Sequence, residues 1–462
     1  MFRTLFYKEI LENLASNRFL MVFVLCLIVI PLGAYVSTRD YHARQQSYQE
    51  SVNLYNESHK LPTDLLYRGA KAYRPPSPLS FLSLGLEIVM PNVAETRSRA
   101  GESQSYVELK FNNNQSPDNI YEFFHGPLDL VFIVAVMMTF FAIAFSYGSV
   151  STEKEQGTLK QILCNAVPRN QIILAKMAAN YITLNIPFVF TVLLGLLIFQ
   201  GNGFALFGSD RAWLYVTLSI VFSLLLIGTF FNLGLLVSTL TRQAVSTIVI
   251  LLLCWILIYG ILPRLSIILS QLVYPVKSQQ LLAFEKNQIR MENEKECDAR
   301  IDKLLDSGQS SLEKQKSIRA EYGEKLVESW QKLDREWEKR REIQMSMAMN
   351  LARLSPVSCF IRPMAEISKT GWLEYQEFAK DVSRFQLVLN EKVYSQNVFE
   401  VTKGGLQSYE GKFSGPAPIF QFQTISNESL MKNVLPDFIL LVIYNLLFFA
   451  GAYVKFLRYD AR

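Results

Sequence analysis

LDLVFIVAVMMTFFAIAFSYGSVSTEKEQGTLKQILCNAVPRNQ, residues 128–171, passes from an almost wholly apolar run (128–148) into a charged, helix-prone segment (149–171). Beyond it the chain turns apolar again. A backbone group in hydrocarbon must bond within its own helix, and about 20 apolar residues cross the bilayer core. The first part therefore reads as a membrane-crossing helix. The second reads as the connection to the next one.

Five further runs have this character: 19–36, about 172–199 with Pro187 as an expected kink, about 213–237, about 245–263 and about 436–455. The chain has 462 residues, half of them hydrophobic, and a positive mean hydropathy. Its apolar residues lie in long runs and not in the alternating patterns of soluble domains. The first run is too long for the core of a cleaved leader and lacks a small-x-small site after it. A mainly α membrane protein with six transmembrane helices is expected.

Lys and Arg in short flanking loops report orientation. Arg3, Lys8 and Arg18 precede the first span; Lys154, Lys160 and Arg169 lie between spans two and three; Arg242 lies between four and five; Lys455, Arg458 and Arg462 follow the sixth. With six spans all fall on one side, so both termini are expected in the cytoplasm. Two large extracytoplasmic insertions follow, 37–127 and 264–434, with span six and its tail at 435–462.

The first insertion opens RDYHARQQSYQESVNLYNESHK (39–60), a helix continuing out of the membrane. PPSP (75–78) then excludes helix and central strand, leaving a structured elbow or a linker. The second contains Glu, Lys, Arg, Gln and Leu from 279 to 352, broken by DSGQSS (306–311), which reads as a long helical hairpin. Tyr322, Leu326, Trp330, Leu333 and Trp337 form one apolar stripe along its second arm. That stripe is buried within a two-helix coiled coil, or it docks an outside partner.

Cys297 and Cys359 both fall outside, where a disulfide is chemically permitted; a bridge and two unpaired thiols remain alternatives. Five cysteines without CxxC spacing exclude thiolate zinc or a disulfide scaffold as the organising principle. His42, His59 and His125 lack the i, i+4 pairing of a metal site, and none is expected. A net charge of +5 without basic blocks gives no sign of nucleic-acid binding.

No catalytic engine is legible. GGLQSYEGKFS (404–414) has the wrong glycine spacing for a phosphate loop, and Phe413 stands where a magnesium-binding hydroxyl is needed. Asp129 and Asp437 sit at outer span ends, where water is expected to reach them. No deep carboxylate or histidine suggests a proton relay. Energy for work must come from another chain.

Two cytoplasmic features remain. Residues 1–18 place Phe2, Phe6, Ile10 and Leu14 on one helix face and Arg3, Lys8, Glu9 and Glu12 on the other, an amphipathic helix in the membrane interface. In the loop at 149–171, Glu153, Lys154, Glu155 and Gln156 favour helix and Gly157 interrupts it. Thr158 caps a second helix carrying Leu159, Ile162 and Leu163, which Pro168 ends. This loop is a solvated connector or a surface for a soluble partner.

EKEQGTLKQILCNAVPRNQIILAK (153–176) resembles the E-x-E-x-G-T-L motif and following P-x-S/P-R turn of type-2 ABC transporter permeases, a class with an elbow helix and six spans. NLGLLVSTLTRQAVST (232–247) and LPDFILLVIYNLLFFAGAYVKFLRYDAR (435–462) are similar to the same family. PPSPLSFLSLGLE and LSPVSCF…TGW resemble its subgroup with large extracytoplasmic insertions. The long hairpin departs from the minimal family pattern.

The resemblance implies two separate ABC ATPase subunits carrying ATP and Mg, with no cofactor on this chain. It also implies a second permease copy or sister permease, and a bacterial inner membrane. Glu153, Lys154, Glu155, Gln156, Gly157, Thr158, Leu159, Pro168 and Arg169 would be the ATPase-coupling residues, with Glu153 and Glu155 facing the ATPase. The chain itself is then a non-catalytic subunit. It exports an amphiphile such as a lipid, peptide or antibiotic, or it transmits motion to a periplasmic or surface protein through its outer domains.

Overall fold

The computed structural model describes residues 2–58, 70–98, 107–112, 128–164, 168–202, 212–307, 312–389, 401–402, 405–406 and 418–459. His59, His125 and most of 404–414 lie outside these residues. Six helices are long and apolar enough to cross a membrane.

Helix α1 (Phe2–Leu14) leads into α2 (Asn17–Ser58), which contains span 1. At 1.5 Å per residue, the 42 residues of α2 extend about 63 Å, roughly twice the hydrocarbon thickness. Its outer half therefore stands clear of the apolar layer, as the charged and aromatic alternation predicts. The expected face of α1 is only half right. Phe6 and Ile10 turn inward, but so do Glu9 and Asn13, while Phe2, Leu11 and Leu14 stay exposed. Polar partners on span 3 select the inward face of this helix, and apolar periodicity alone does not.

Span 2, α3 (Leu130–Glu155), includes a π-helical turn at Ile133–Met138 and extends seven residues past its expected end. A short helix, α4 (Thr158–Cys164), precedes span 3, α5 (Arg169–Gly201), within which Pro187 lies. Span 4 is α6 (Ala212–Leu240). Span 5, α7 (Ala244–Val273), carries a second π-helical turn at Ile256–Ile261.

Helices α8 (Gln279–Asp306) and α9 (Leu312–Ala352) form the expected hairpin. Its arms are antiparallel: Arg300 pairs with Glu321 at 2.9 Å, Lys325 with Glu296 at 3.2 Å, and Lys286 with Asp334 at 2.6 Å. Tyr322, Leu326, Trp330, Leu333 and Trp337 are all half-buried, so the hairpin covers much of its own stripe.

Two short helices follow, α10 (Ser358–Ile367) and α11 (Trp372–Leu389), and then span 6, α12 (Asn427–Leu457). The first insertion contains strands that its sequence did not suggest. β1 (Ala70–Tyr73), β2 (Val93–Ser98) and β3 (Val107–Asn112) form an antiparallel sheet in that order. Ala70, Ala72 and Ala94 pack against Phe378, Val382, Phe385 and Leu389 of α11. Alternate alanines leave one sheet face thin enough to lie close on a helix with large side chains.

The two insertions interlock. Ser77 Oγ donates to the Ser368 carbonyl at 2.6 Å, Thr370 Oγ1 to Ser83 O at 2.9 Å, and Leu86 N to Thr370 O at 2.9 Å. The PPSP segment is thus a structured elbow, and it grips the loop between α10 and α11. Asp129 and Asp437, expected in water, are 5% and 1% exposed. Asp129 accepts from the amides of Leu84 and Phe132, and Asp437 pairs with Arg353 at 2.7 Å. The insertions supply these partners, because a buried carboxylate must be compensated.

Cys297 and Cys359 are both free and lie in different clusters, one inside the hairpin and one in the main core; no bridge joins them.

Candidate coupling site

The segment between spans 2 and 3 begins inside α3. Val150 and Leu159 are fully buried and share a cluster with Ile172, Ile173, Leu235, Ala452 and Phe456, drawn from spans 3, 4 and 6. Gly157 has φ +75°, a left-handed conformation that glycine adopts without strain. A Cβ there would meet no atom within 4 Å, so backbone geometry alone calls for glycine. This bend separates α3 from α4. Thr158 is the first residue of α4 and not its cap; its hydroxyl donates back to Glu153 O at 3.4 Å. Pro168 precedes α5 in an extended conformation.

Glu153, Lys154, Glu155 and Arg169 are each bonded to other helices of the chain. Lys176, 7% exposed on span 3, lies 2.6 Å from both Glu153 and Glu9 and so joins the loop to α1. Lys154 Nζ donates to the carbonyls of Thr239 and Thr241 at 2.6 and 3.0 Å, satisfying the last turn of span 4. Glu155 Oε2 accepts from Ala244 N at 2.9 Å, which places a carboxylate on the first amide of span 5. Arg169 donates to the carbonyls of Leu457 and Tyr459 at 3.0 and 2.7 Å, closing the end of span 6. Ser238 Oγ on span 4 accepts from the amides of Val150 and Ser151.

The loop therefore holds α1 and the inner ends of spans 3, 4, 5 and 6. Glu155, Gln156, Gly157, Lys160, Gln161, Cys164 and Pro168 are left exposed. Among the described residues no group of His, Cys, Asp and Glu is arranged to hold a metal.

Sequence reasoning passed over Lys176, Glu9, Asn13 and Asn180. Asn13 bonds to Asn180, and Asn180 Nδ2 donates to Ser149 Oγ at 3.2 Å, beside the Lys176 pair. A signal existed: Lys176 is a charge within an apolar run, where a charge calls for a partner. Asn232 and Asn445 likewise bond across spans 4 and 6 at 3.1 Å.

No curated protein matches the chain. A family model for ABC-2 family transporter proteins matches residues 3–461, nearly its whole length. With six helices fit to cross a membrane, the chain belongs to the ABC-2 transporter family, as a permease subunit.

Proposed function

We propose that this permease is driven by two separate ABC ATPase subunits, which hold ATP and Mg, and that they act on the segment 149–171. One observation carries the reading: a single loop is bonded to α1 and to spans 3, 4, 5 and 6, yet leaves Glu155–Gly157 and Lys160–Gln161 exposed. A push on that edge moves the inner ends of the bundle as one body. Glu153, Lys154 and Arg169 act within the chain, Glu155 caps span 5 and is exposed as well, and the exposed residues meet the ATPase. The clustering of Lys and Arg at these ends supports a cytoplasmic location for them and for both termini of a bacterial inner-membrane protein.

Two permeases, identical or sister chains, would complete the assembly and extrude an amphiphile such as a lipid, peptide or antibiotic. A second reading is mechanical transmission to a periplasmic or surface protein without translocation. It is favoured by one observation: the outer half of span 5 packs along the second hairpin arm, whose Gln344 donates to Tyr274 O at 2.6 Å.

Glu153→Arg and Gly157→Pro test the loop in the permease–ATPase complex in lipid vesicles. Both should insert normally and lose the link between ATP hydrolysis and activity by tenfold or more. Unchanged coupling in both would remove the loop from this role.

A further inference from the structure

Span 5 buries only 11% of its apolar window within the chain, against 72% for span 4. Its inner end is held by Glu155 of the loop. Its outer end and the link that follows are held by the second hairpin arm: Gln344 donates to Tyr274 O at 2.6 Å and Trp337 to Lys277 O at 2.8 Å. One helix thus joins the loop to the hairpin, and the π-helical turn at Ile256–Ile261 interrupts it midway.

The turn changes the register of the helix. Buried Thr247 and Ser266 are nineteen residues apart, as are buried Leu251 and Ser270. In an uninterrupted α-helix that spacing turns two side chains about 100° from each other. The additional residue of a π turn returns them to one face. The buried side chains of the two halves therefore share one face only because of this turn, the inner half lying against spans 2 and 4 and the outer half against the second hairpin arm.

Span 2, which continues directly into the loop, carries its own π turn at Ile133–Met138. The two turns lie at one level. Trp255, just before the turn in span 5, donates through Nε1 to Oγ1 of Thr139, just after the turn in span 2, at 3.0 Å. The Ile258 carbonyl, inside the second turn, accepts from Ser355 Oγ at 2.7 Å, at the foot of the second hairpin arm. Tyr444 of span 6 holds the same foot through the carbonyls of Arg353 and Leu354, both at 3.0 Å.

We propose that spans 2 and 5 bend at this shared layer of π-helical turns, and that the hairpin swings about its foot when the cytoplasmic loop moves. Helices bend at π turns because the i, i+4 ladder is already interrupted there. The foot of the second arm is pinned at the layer, while the base of the first arm rides on the outer half of span 5. A small tilt of that half is carried along a first arm about 40 Å long. This inference rests on the reading of the loop as the place where the ATPase acts.

The test uses the full permease–ATPase complex in vesicles, with spectroscopic labels at Asp302 on the hairpin and Lys380 on α11. ATP should change the distance between them. Trp255→Phe, which keeps the ring and loses the donor, should reduce that change at least twofold while hydrolysis continues. Thr139→Ser, which keeps the hydroxyl, should behave as the wild type. An independent variant lacking Tyr259 removes the additional residue of the turn and should abolish the ATP-dependent change.

A distance indifferent to ATP, in a complex that Gly157→Pro uncouples, overturns the hinge and leaves the coupling loop standing. The same indifference where Gly157→Pro has no effect overturns both. An equal change in wild type, Trp255→Phe and the deletion also overturns the hinge.

Discussion

The loop between spans 2 and 3 and the hairpin between spans 5 and 6 are built from the same residue types, Glu and Lys on helix-prone segments, and use them in opposite ways. Loop charges are turned onto helix ends and onto a buried lysine belonging to other elements. Hairpin charges pair across the two arms of one local unit, with both partners well exposed. A charge in water contributes little when paired, whereas a buried charge that loses its partner is costly. The first arrangement makes a loop inseparable from the bundle. The second joins the two arms to each other and keeps the surface of a projecting hairpin soluble.

The sharpest way to break the contrast is Lys176→Met, which strands two carboxylates at the inner end of the bundle. It should cost about 3–5 kcal/mol, read as a lower melting temperature of the purified complex. Adding Glu9→Gln and Glu153→Gln should recover much of the loss; no recovery would show that the lysine acts by size and not by charge.

An intermediate effect is expected in the outer head. Glu366 accepts from the amides of Trp372 and Leu373 at the start of α11, and burial pushes its carboxyl up to about 7 from 4.5. A carboxyl raised on folding binds its proton more tightly in the folded state. Stability contributed by this group is therefore present at low pH, falls as the pH rises from about 4.5 to about 7, and is level above that. Melting temperatures across this range should decline in the wild type and decline less in Glu366→Gln. Identical pH profiles would remove Glu366 as the source.

The smallest effect belongs to the hairpin. Lys325→Ala, which breaks an exposed pair with Glu296, should cost less than about 1 kcal/mol. A loss comparable to that of Lys176→Met would mean that the hairpin surface is covered in the assembled protein.

Much of the architecture was legible before the structure. Apolar run length is a local property, so six spans, the long extension of α2 and the hairpin could all be read along the chain. The β-sheet could not, because strands of four to six residues with threonine, glutamate and alanine carry little periodic signal. Gly157 was readable as a bend, since its conformation depends on its own backbone. The contacts of Glu153 were not readable: its helix-favouring character is local, but its direction depends on Lys176 and Glu9, which belong to other elements.

The sequence by itself determined which segments enter the membrane and which side is positive, because transfer free energy and charge bias add up residue by residue. Only the tertiary structure decided that the loop charges close the ends of other spans, that the two insertions form one interlocked head, and that span 5 changes register at a π turn. Each of these depends on hydrogen bonds or packing between residues far apart in the chain. No local pattern encodes that a lone lysine, an unpaired carbonyl or a misaligned face will find its partner.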